Sequence, residues 1–266
     1  WDSAAEDYQE LDSYIALPAP TNGKPPRSAD EIFTTAALNS IKSHKPEWYT
    51  KWQPFFLFIG YCQPRISPKD NFGSYEKEPW PAAEKAKAAA IALLDANVGK
   101  IVAKLREYGQ LTNTLIIIGS DGGPLAADGI DPAFHRSAGD FRWASGDLYE
   151  GNIRVPLIVS FPGKLSPTNQ SEGFWSSTDL LPTIADAARI SAGKAIQGIS
   201  FWPSLTGSPQ VKRHEDLVWQ KDSGKKSPQA VRFKSWKAVR SPDAAGIQLF
   251  DLSADPGETN NVATTQ

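Results

Sequence analysis

The sequence predicts an α/β protein: a mostly parallel, doubly wound sheet followed by a small C-terminal antiparallel α+β subdomain. Three observations favour this fold class. Three apolar runs lack polar alternation, as is typical of parallel strands that are covered on both faces. Helical patterns alternate with these runs, and after residue 208 the pattern changes to short β-prone segments separated by turn residues.

The first predicted helix begins at the segment Ser28-Ala29-Asp30-Glu31. This segment has the S-x-x-E spacing of a capping box, in which the serine and the glutamate side chains each satisfy a free backbone amide. Apolar residues follow at helical spacing as far as Ile41. We therefore expect a helix of about 15 residues at this point.

The next segments predict a βαβ unit. Residues 54–61 form a continuous apolar run, and residues 114–119 form a second one that ends just before Ser120-Asp121-Gly122-Gly123. Between them, apolar residues recur every three or four positions from Pro81 to Gly109, as in a long amphipathic helix with a glycine stop. A strand, a helix and a second strand in this order are typical of parallel pairing.

A third strand is predicted over residues 155–161, and a helix over residues 178–188 with Thr178 as its cap. The C-terminal pieces 217–220, 230–240 and 247–252 predict a small antiparallel sheet. We accordingly expect two domains, an α/β domain over residues 1–207 and a small antiparallel subdomain over residues 208–266.

Composition excludes several classes of partner. The 266 residues carry 28 Lys and Arg against 30 Asp and Glu, a net charge of −2, and neither sign forms a long run. This balance excludes a surface for nucleic acid or anionic lipid. The apolar runs are far shorter than the roughly 20 residues of a membrane helix, so no membrane span is expected. The single cysteine, Cys62, leaves the redox compartment open.

Candidate ligand-binding residues follow the carboxyl ends of the predicted strands, where open α/β sheets bind their ligands. Asp121 precedes two glycines and is suited to hold a hard cation, although a turn-forming aspartate is the alternative. Arg65 is suited to an anion, with a surface arginine as the alternative. The three histidines, which show no metal-ligand spacing and are expected to be structural or exposed, are His44, His135 and His214.

The order of these segments resembles the second half of an arylsulfatase-type sulfatase of the alkaline phosphatase superfamily. The most specific match is Leu148-Tyr149-Glu150-Gly151-Asn152-Ile153-Arg154-Val155-Pro156, which is similar to the family's LYEGGIRVP. Other matching segments follow in family order: 54–61, 94–100, 113–121, 161–164, 179–183, 204–207, 236–240 and 249–258. The resemblance implies an alkaline phosphatase-like fold.

The resemblance also implies a mechanism. In the family, a cysteine of a C-x-P-x-R motif is oxidised to formylglycine, whose hydrate attacks sulfur, while a divalent cation, usually Ca²⁺, polarises the sulfate. That motif lies in the family's first half, which this chain lacks. Cys62-Gln63-Pro64-Arg65 has its arginine one position too early and is not that motif.

The resemblance places several family site positions in this chain, most of them substituted. Arg65 stands where the family has a histidine, and Ser145 where it has the sulfate-binding lysine. Gly122 replaces a metal-binding asparagine, and Leu125 lies near a common histidine. Asp121 matches a metal ligand. Arg65 and Ser145 are thus the altered catalytic positions, and the chain alone is expected to be inactive.

Three functions remain open. The first is the C-terminal portion of a sulfuric ester hydrolase that acts on a sulfated small molecule or glycan with Ca²⁺ or Mg²⁺. The second is a non-catalytic binding or assembly module for an anionic glycan or a protein. The third, a phosphoryl-transfer relative, is the weakest because no Asp-His metal pair accompanies Asp121. The family implies export, and the chain needs its other half or a second copy as partner.

Overall fold

The computed structural model describes residues 29–45, 54–62, 72–166, 173–221, 227–241 and 246–264. The chain divides into two compact units, residues 1–109 and residues 110–266, and each is described by itself. This division does not test the boundary predicted at residues 207 and 208, which stays a prediction. Among the helices of these described ranges, none is both long enough and apolar enough to cross a membrane.

The first unit contains the two predicted helices, α1 (Ala29–Ser43) and α2 (Ala82–Glu107). The helices contact each other, and α1 buries Ile32, Ala37 and Ile41. Pro81 lies at the N-cap of α2, and Gly109 ends the helix with a positive φ of 67°. Both helices are therefore confirmed, although Ser28 of the predicted capping box lies outside the described residues.

The strand predicted over residues 54–61 is not formed. Residues 54–62 have no strand partner among the described residues; instead, the Cys62 amide donates to the buried Asp30 carboxylate at 3.1 Å. Alternate side chains face solvent, and Phe56 and Phe58 are 74% and 83% exposed. The predicted βαβ unit is therefore not formed among the described residues, because an apolar run forms a strand only when a neighbouring backbone completes its hydrogen bonds.

The second unit contains the other two predicted strands, β1 (Ile116–Gly119) and β2 (Leu157–Ser160). They pair with each other in antiparallel register, Ile116 opposite Ser160 and Gly119 opposite Leu157. The parallel direction predicted for these strands is therefore wrong for this pair. A continuous apolar pattern favours a strand covered on both faces, and it does not fix which strand pairs with which or in which direction.

Four more strands form the predicted C-terminal sheet: β3 (Asp216–Gln220), β4 (Gln229–Phe233), β5 (Trp236–Arg240) and β6 (Ile247–Asp251). Their order is β3-β4-β5-β6, and every neighbouring pair is antiparallel. The antiparallel sheet is confirmed, whereas the described residues after 208 contain no helix to complete an α+β subdomain. Ala230, Val239 and Phe250 of the sheet form a buried cluster with Leu148 and Tyr149.

The remaining helices of this unit are short: α3 (Glu150–Ile153), α4 (Leu180–Ala188) and α5 (Trp202–Leu205). A 3-10 turn (Ser177–Asp179) precedes α4. The cap of this turn is Ser176, whereas the sequence predicted Thr178 as the cap. The Ser176 hydroxyl accepts from the Thr178 amide, and the Asp179 carboxylate accepts from the Ser176 amide. The 3-10 turn displaces the cap by two residues.

Candidate functional site

The turn after β1 presents Asp121 to solvent. Ser120 Oγ donates to the Gly122 carbonyl at 2.8 Å and closes the turn. The Gly123 amide then donates to the Asn152 carbonyl at 3.0 Å, and a Cβ at Gly123 would lie 2.5 Å from that oxygen. Glycine is required here because a side chain would separate this turn from α3.

The loop that carries Ser145 is held by the same asparagine. Asn152 Oδ1 accepts from the Ala144 amide at 3.1 Å, and Asn152 Nδ2 donates to the Ala144 carbonyl at 2.9 Å. Trp143 Nε1 donates to the Pro124 carbonyl at 2.8 Å, so the loop is also fastened directly to the residues after Asp121. Ser145, next to Ala144, is exposed.

The turn of Asp121 (residues 120–123) and the loop of Ser145 (residues 143–145) together form a surface that we call the rim. Asn152 joins these two of the three predicted site positions. Its carbonyl holds the turn of Asp121, and its side chain holds the loop of Ser145. Both predicted residues face solvent there. The third position, Arg65, lies outside the described residues.

A buried cluster of charges fixes the start of α3. Lys237 of β5 is fully buried, and its Nζ lies 3.0 Å from Glu150 Oε1 and 2.9 Å from Glu258 Oε1. Arg232 Nη1 lies 3.5 Å from Glu150 Oε2, and the Glu150 amide donates to Glu258 Oε2 at 2.6 Å. Two carboxylates and two cations thus balance inside the second unit.

The environment of Glu258 opposes its ionisation. Burial raises the pKa of the Glu258 carboxyl above its usual value, and the neighbouring Lys237 charge counteracts only part of this rise. The sequence reasoning missed the roles of Glu150, Lys237 and Glu258. Each of them lies in a segment that resembles the family, and that position was the available signal.

Two protein-family models match the chain. The model of the Sulfatase family matches residues 5–190, and the model described as N-sulphoglucosamine sulphohydrolase, C-terminal, matches residues 139–266. The chain belongs to the sulfatase family. The resemblance found in the sequence motifs is thereby confirmed.

Similar sulfatases include bacterial and animal proteins. The chain is 30% identical to the N-acetylgalactosamine-6-O-sulfatase of Bacteroides thetaiotaomicron, over 91% of this chain and 50% of that protein. It is 28% identical to arylsulfatase K of Gallus gallus, over 94% of this chain and 47% of that protein. The chain spans about half the length of these curated relatives.

A solved structure supports the fold. The crystal structure of Ps i-CgsB superposes with a TM-score of 0.77 at 23% identity, over 98% of this chain and 58% of that one. At this identity the likeness concerns the fold alone. Membership of the sulfatase family places the chain in the alkaline phosphatase-like superfamily, and the solved structure agrees with it in fold.

The cation that sulfatases typically use does not find a complete site among the described residues. No group of three or more His, Cys, Asp or Glu side chains that could hold a metal ion occurs in those ranges. At the Asp121 turn, Gly122 offers no side-chain oxygen, and the Ser120 hydroxyl is engaged with the Gly122 carbonyl. Ca²⁺ takes six to eight oxygen ligands, so Asp121 and its described neighbours do not fit it by themselves.

The other residues that the sequence singled out are either exposed to solvent or held in local contacts. Leu125 is 60% exposed, and Cys62 is an exposed free thiol. The His44 ring contacts the Ser40 carbonyl through Nδ1 at 2.8 Å, and the His135 ring contacts Phe134 edge-on. His214 Nε2 lies 2.8 and 2.9 Å from the two oxygens of the buried Asp179 carboxylate.

Proposed function

We propose that this chain is the C-terminal portion of a sulfuric ester hydrolase whose substrate is a sulfated saccharide. One observation carries the proposal: Asn152 holds both the Asp121 turn and the Ser145 loop, so the positions of a cation ligand and a sulfate-binding residue share one rim. The name of the N-acetylgalactosamine-6-O-sulfatase supports a sulfated sugar as the substrate class.

The residues at this rim have limited chemistry of their own. Asp121 would contribute one carboxylate to a divalent cation, Ca²⁺ or Mg²⁺, whose other ligands lie outside the described residues. Ser145 offers a neutral hydroxyl where the family has a lysine, and the lost charge is worth about 3 kcal/mol of barrier in comparable sites. Arg65 remains a candidate anion ligand and is a poor general acid because its pKa is very high.

Turnover of an aryl sulfate by the product of the whole gene tests the proposal. We expect hydrolysis of 4-nitrophenyl sulfate in the presence of Ca²⁺, and we expect Asp121→Asn to lower kcat/KM by about a hundredfold, the loss typical of a removed electrostatic contact. Asp128→Asn, at an exposed turn further along the chain, is the matched control and should retain activity. Equal activity of the two variants contradicts the role of Asp121.

A second function is favoured by the substitutions at the rim. Asp121 belongs to no group of three or more His, Cys, Asp or Glu side chains among the described residues, and Gly122 and Ser145 replace family residues. We propose as the alternative a non-catalytic module that binds an anionic glycan or a protein. Absence of turnover on every sulfate ester tested, with retained binding of a sulfated saccharide, supports this alternative and contradicts the first.

The wider architecture is part of the same proposal. We infer that the intact fold contains a mostly parallel, doubly wound sheet with a domain boundary at residues 207 and 208, and that the run 54–61 has a neighbour in the intact protein. The exposed Phe56 and Phe58 support a missing neighbour on that run, either the other half of the fold or a second copy of the chain. Family membership supports export from the cytoplasm.

A further inference from the structure

A cavity of about 350 Å³ lies within the second unit, and none of its lining residues belongs to the rim. Its walls come from the segment before α4, the approach to β3, the turn between β4 and β5, and the residues after β6. The lining residues are Gly173, Phe174, Trp175, Arg213, His214, Arg232, Lys234, Ser235, Leu252 and Ser253. The volume is within the range of small-molecule sites.

The charge of the cavity wall is entirely basic. Arg213, Arg232 and Lys234 are permanent cations, and the lining contains no carboxylate. Arg232 is partly neutralised by Glu150, which lies 3.5 Å away. Within the ranges that the structure describes, no carboxylate lies at ion-pair distance from Arg213 or Lys234, so the wall retains uncompensated positive charge.

The wall also provides rings and fixed orientation. The Arg232 guanidinium lies over the Phe174 ring, 4.6 Å from its centroid, and Trp175 packs on Phe201 at 5.2 Å. His214 is held by the Asp179 carboxylate at 2.8 Å. Flat rings beside the fixed Arg232 guanidinium are suited to a sugar ring that carries an anionic group.

Lys234 has a backbone conformation that is unfavourable for a lysine. It is the first residue of the two-residue turn between β4 and β5, and its φ is +54°. Asparagine or glycine adopts this left-handed region more easily than lysine. Lys234 is exposed and its ammonium lies over the Phe233 ring, 5.2 Å from the ring centroid, so a lysine stands among the lining residues where the turn alone would favour another residue.

We propose that this cavity is a binding site for an acidic saccharide unit, in which Arg213 and Lys234 bind the sulfate or carboxylate group and the aromatic rings contact the sugar. The inference rests on the proposed function only for the choice of a glycosaminoglycan fragment as the probe. Binding at this cavity requires no hydrolysis, so an inactive protein still tests it.

Isothermal titration calorimetry of the 266-residue chain tests the site with three probes. The probes are a chondroitin 6-sulfate tetrasaccharide, the unsulfated chondroitin tetrasaccharide, and neutral chitotetraose. If only the sulfated tetrasaccharide binds, the contact is with the sulfate group. If the unsulfated chondroitin tetrasaccharide binds as well, the contact is with the carboxylate. Equal binding of chitotetraose, or no binding of either acidic probe, overturns the proposal.

Two cavity variants and one control variant test whether the saccharide binds at this cavity. Lys234→Asn removes one cavity charge and favours the left-handed turn, so it should weaken the acidic tetrasaccharide about fivefold to tenfold without lowering the thermal midpoint. Arg189→Asn is the matched control, since Arg189 ends α4 with a φ of +58°, is exposed and does not line the cavity. Arg213→Gln should weaken binding as Lys234→Asn does. Unchanged affinity in both cavity variants, or an equal loss in Arg189→Asn, overturns the proposal.

Discussion

At the scale of single residues, the buried Lys237 connects the four-stranded sheet to the motif that forms the rim. Its ammonium lies between Glu150, which begins α3, and Glu258, which follows β6. The Arg142 guanidinium also donates to the Glu258 carbonyl at 3.0 Å. The sheet therefore positions α3, and α3 in turn carries the asparagine that holds Asp121 and Ser145.

Removing the Lys237 charge should destabilise the fold. Lys237→Met leaves the buried Glu258 carboxylate without a cation and Glu150 with Arg232 alone, and we expect a loss of about 3–5 kcal/mol in the free energy of unfolding at pH 7. Burial already raises the pKa of Glu258, and loss of Lys237 raises it further, so the folded state binds a proton more tightly than the unfolded state. The destabilisation should therefore be smaller near pH 4 and grow as the pH rises through the folded pKa.

Urea unfolding at several pH values measures this effect. Lys212→Met is the matched control, because Lys212 is exposed and should change stability by less than about 0.5 kcal/mol. A loss for Lys237→Met that is independent of pH would show that the methionine fails to pack, with no part played by the carboxylates.

At the scale of elements, the sequence predicted segments better than their partners. Helices α1 and α2 and the strands of the C-terminal sheet lie where local periodicity and turn residues place them. Whether β1 and β2 run parallel or antiparallel depends on which backbone lies alongside. The same holds for whether residues 54–61 form a strand. Local periodicity does not contain that information. The candidate site shows the same limit. The position of Asp121 follows from its strand end, whereas the anchoring role of Asn152 depends on a contact with Gly123, 29 residues away in sequence.

The cap of the 3-10 turn before α4 provides a test at this scale. Ser176→Ala removes the hydroxyl that accepts from the Thr178 amide, and we expect a loss of about 1 kcal/mol in the free energy of unfolding. Thr178→Ala should change stability by less than about 0.5 kcal/mol, because Thr178 is exposed and does not provide the cap. Urea unfolding compares the two variants, and a larger effect at Thr178 contradicts the observed 3-10 turn.

At the scale of the whole molecule, the chain belongs to a family whose curated relatives are about twice as long. In the first unit, residues 54–62 alternate between exposed and half-buried side chains, as a strand does when one face is left uncovered. Exposed apolar stripes of this kind mark a surface that another part of a fold or another protein covers. The stripe formed by Phe56 and Phe58 should therefore contribute little to the stability of the 266-residue chain itself.

Replacing the two phenylalanines of this stripe tests whether the face is uncovered or packed in the 266-residue chain. The double variant Phe56→Ser/Phe58→Ser should unfold in urea within about 0.5 kcal/mol of the unmodified chain, since little buried apolar area is lost. It should also bind less of the fluorescent probe anilinonaphthalene sulfonate, which reports exposed apolar surface. Leu57→Ser is the matched control: Leu57 is half-buried between the two phenylalanines and should cost about 1 kcal/mol or more. If the double variant loses as much stability as the control, the stripe is already covered in this chain, and the argument for a missing neighbour on that face fails.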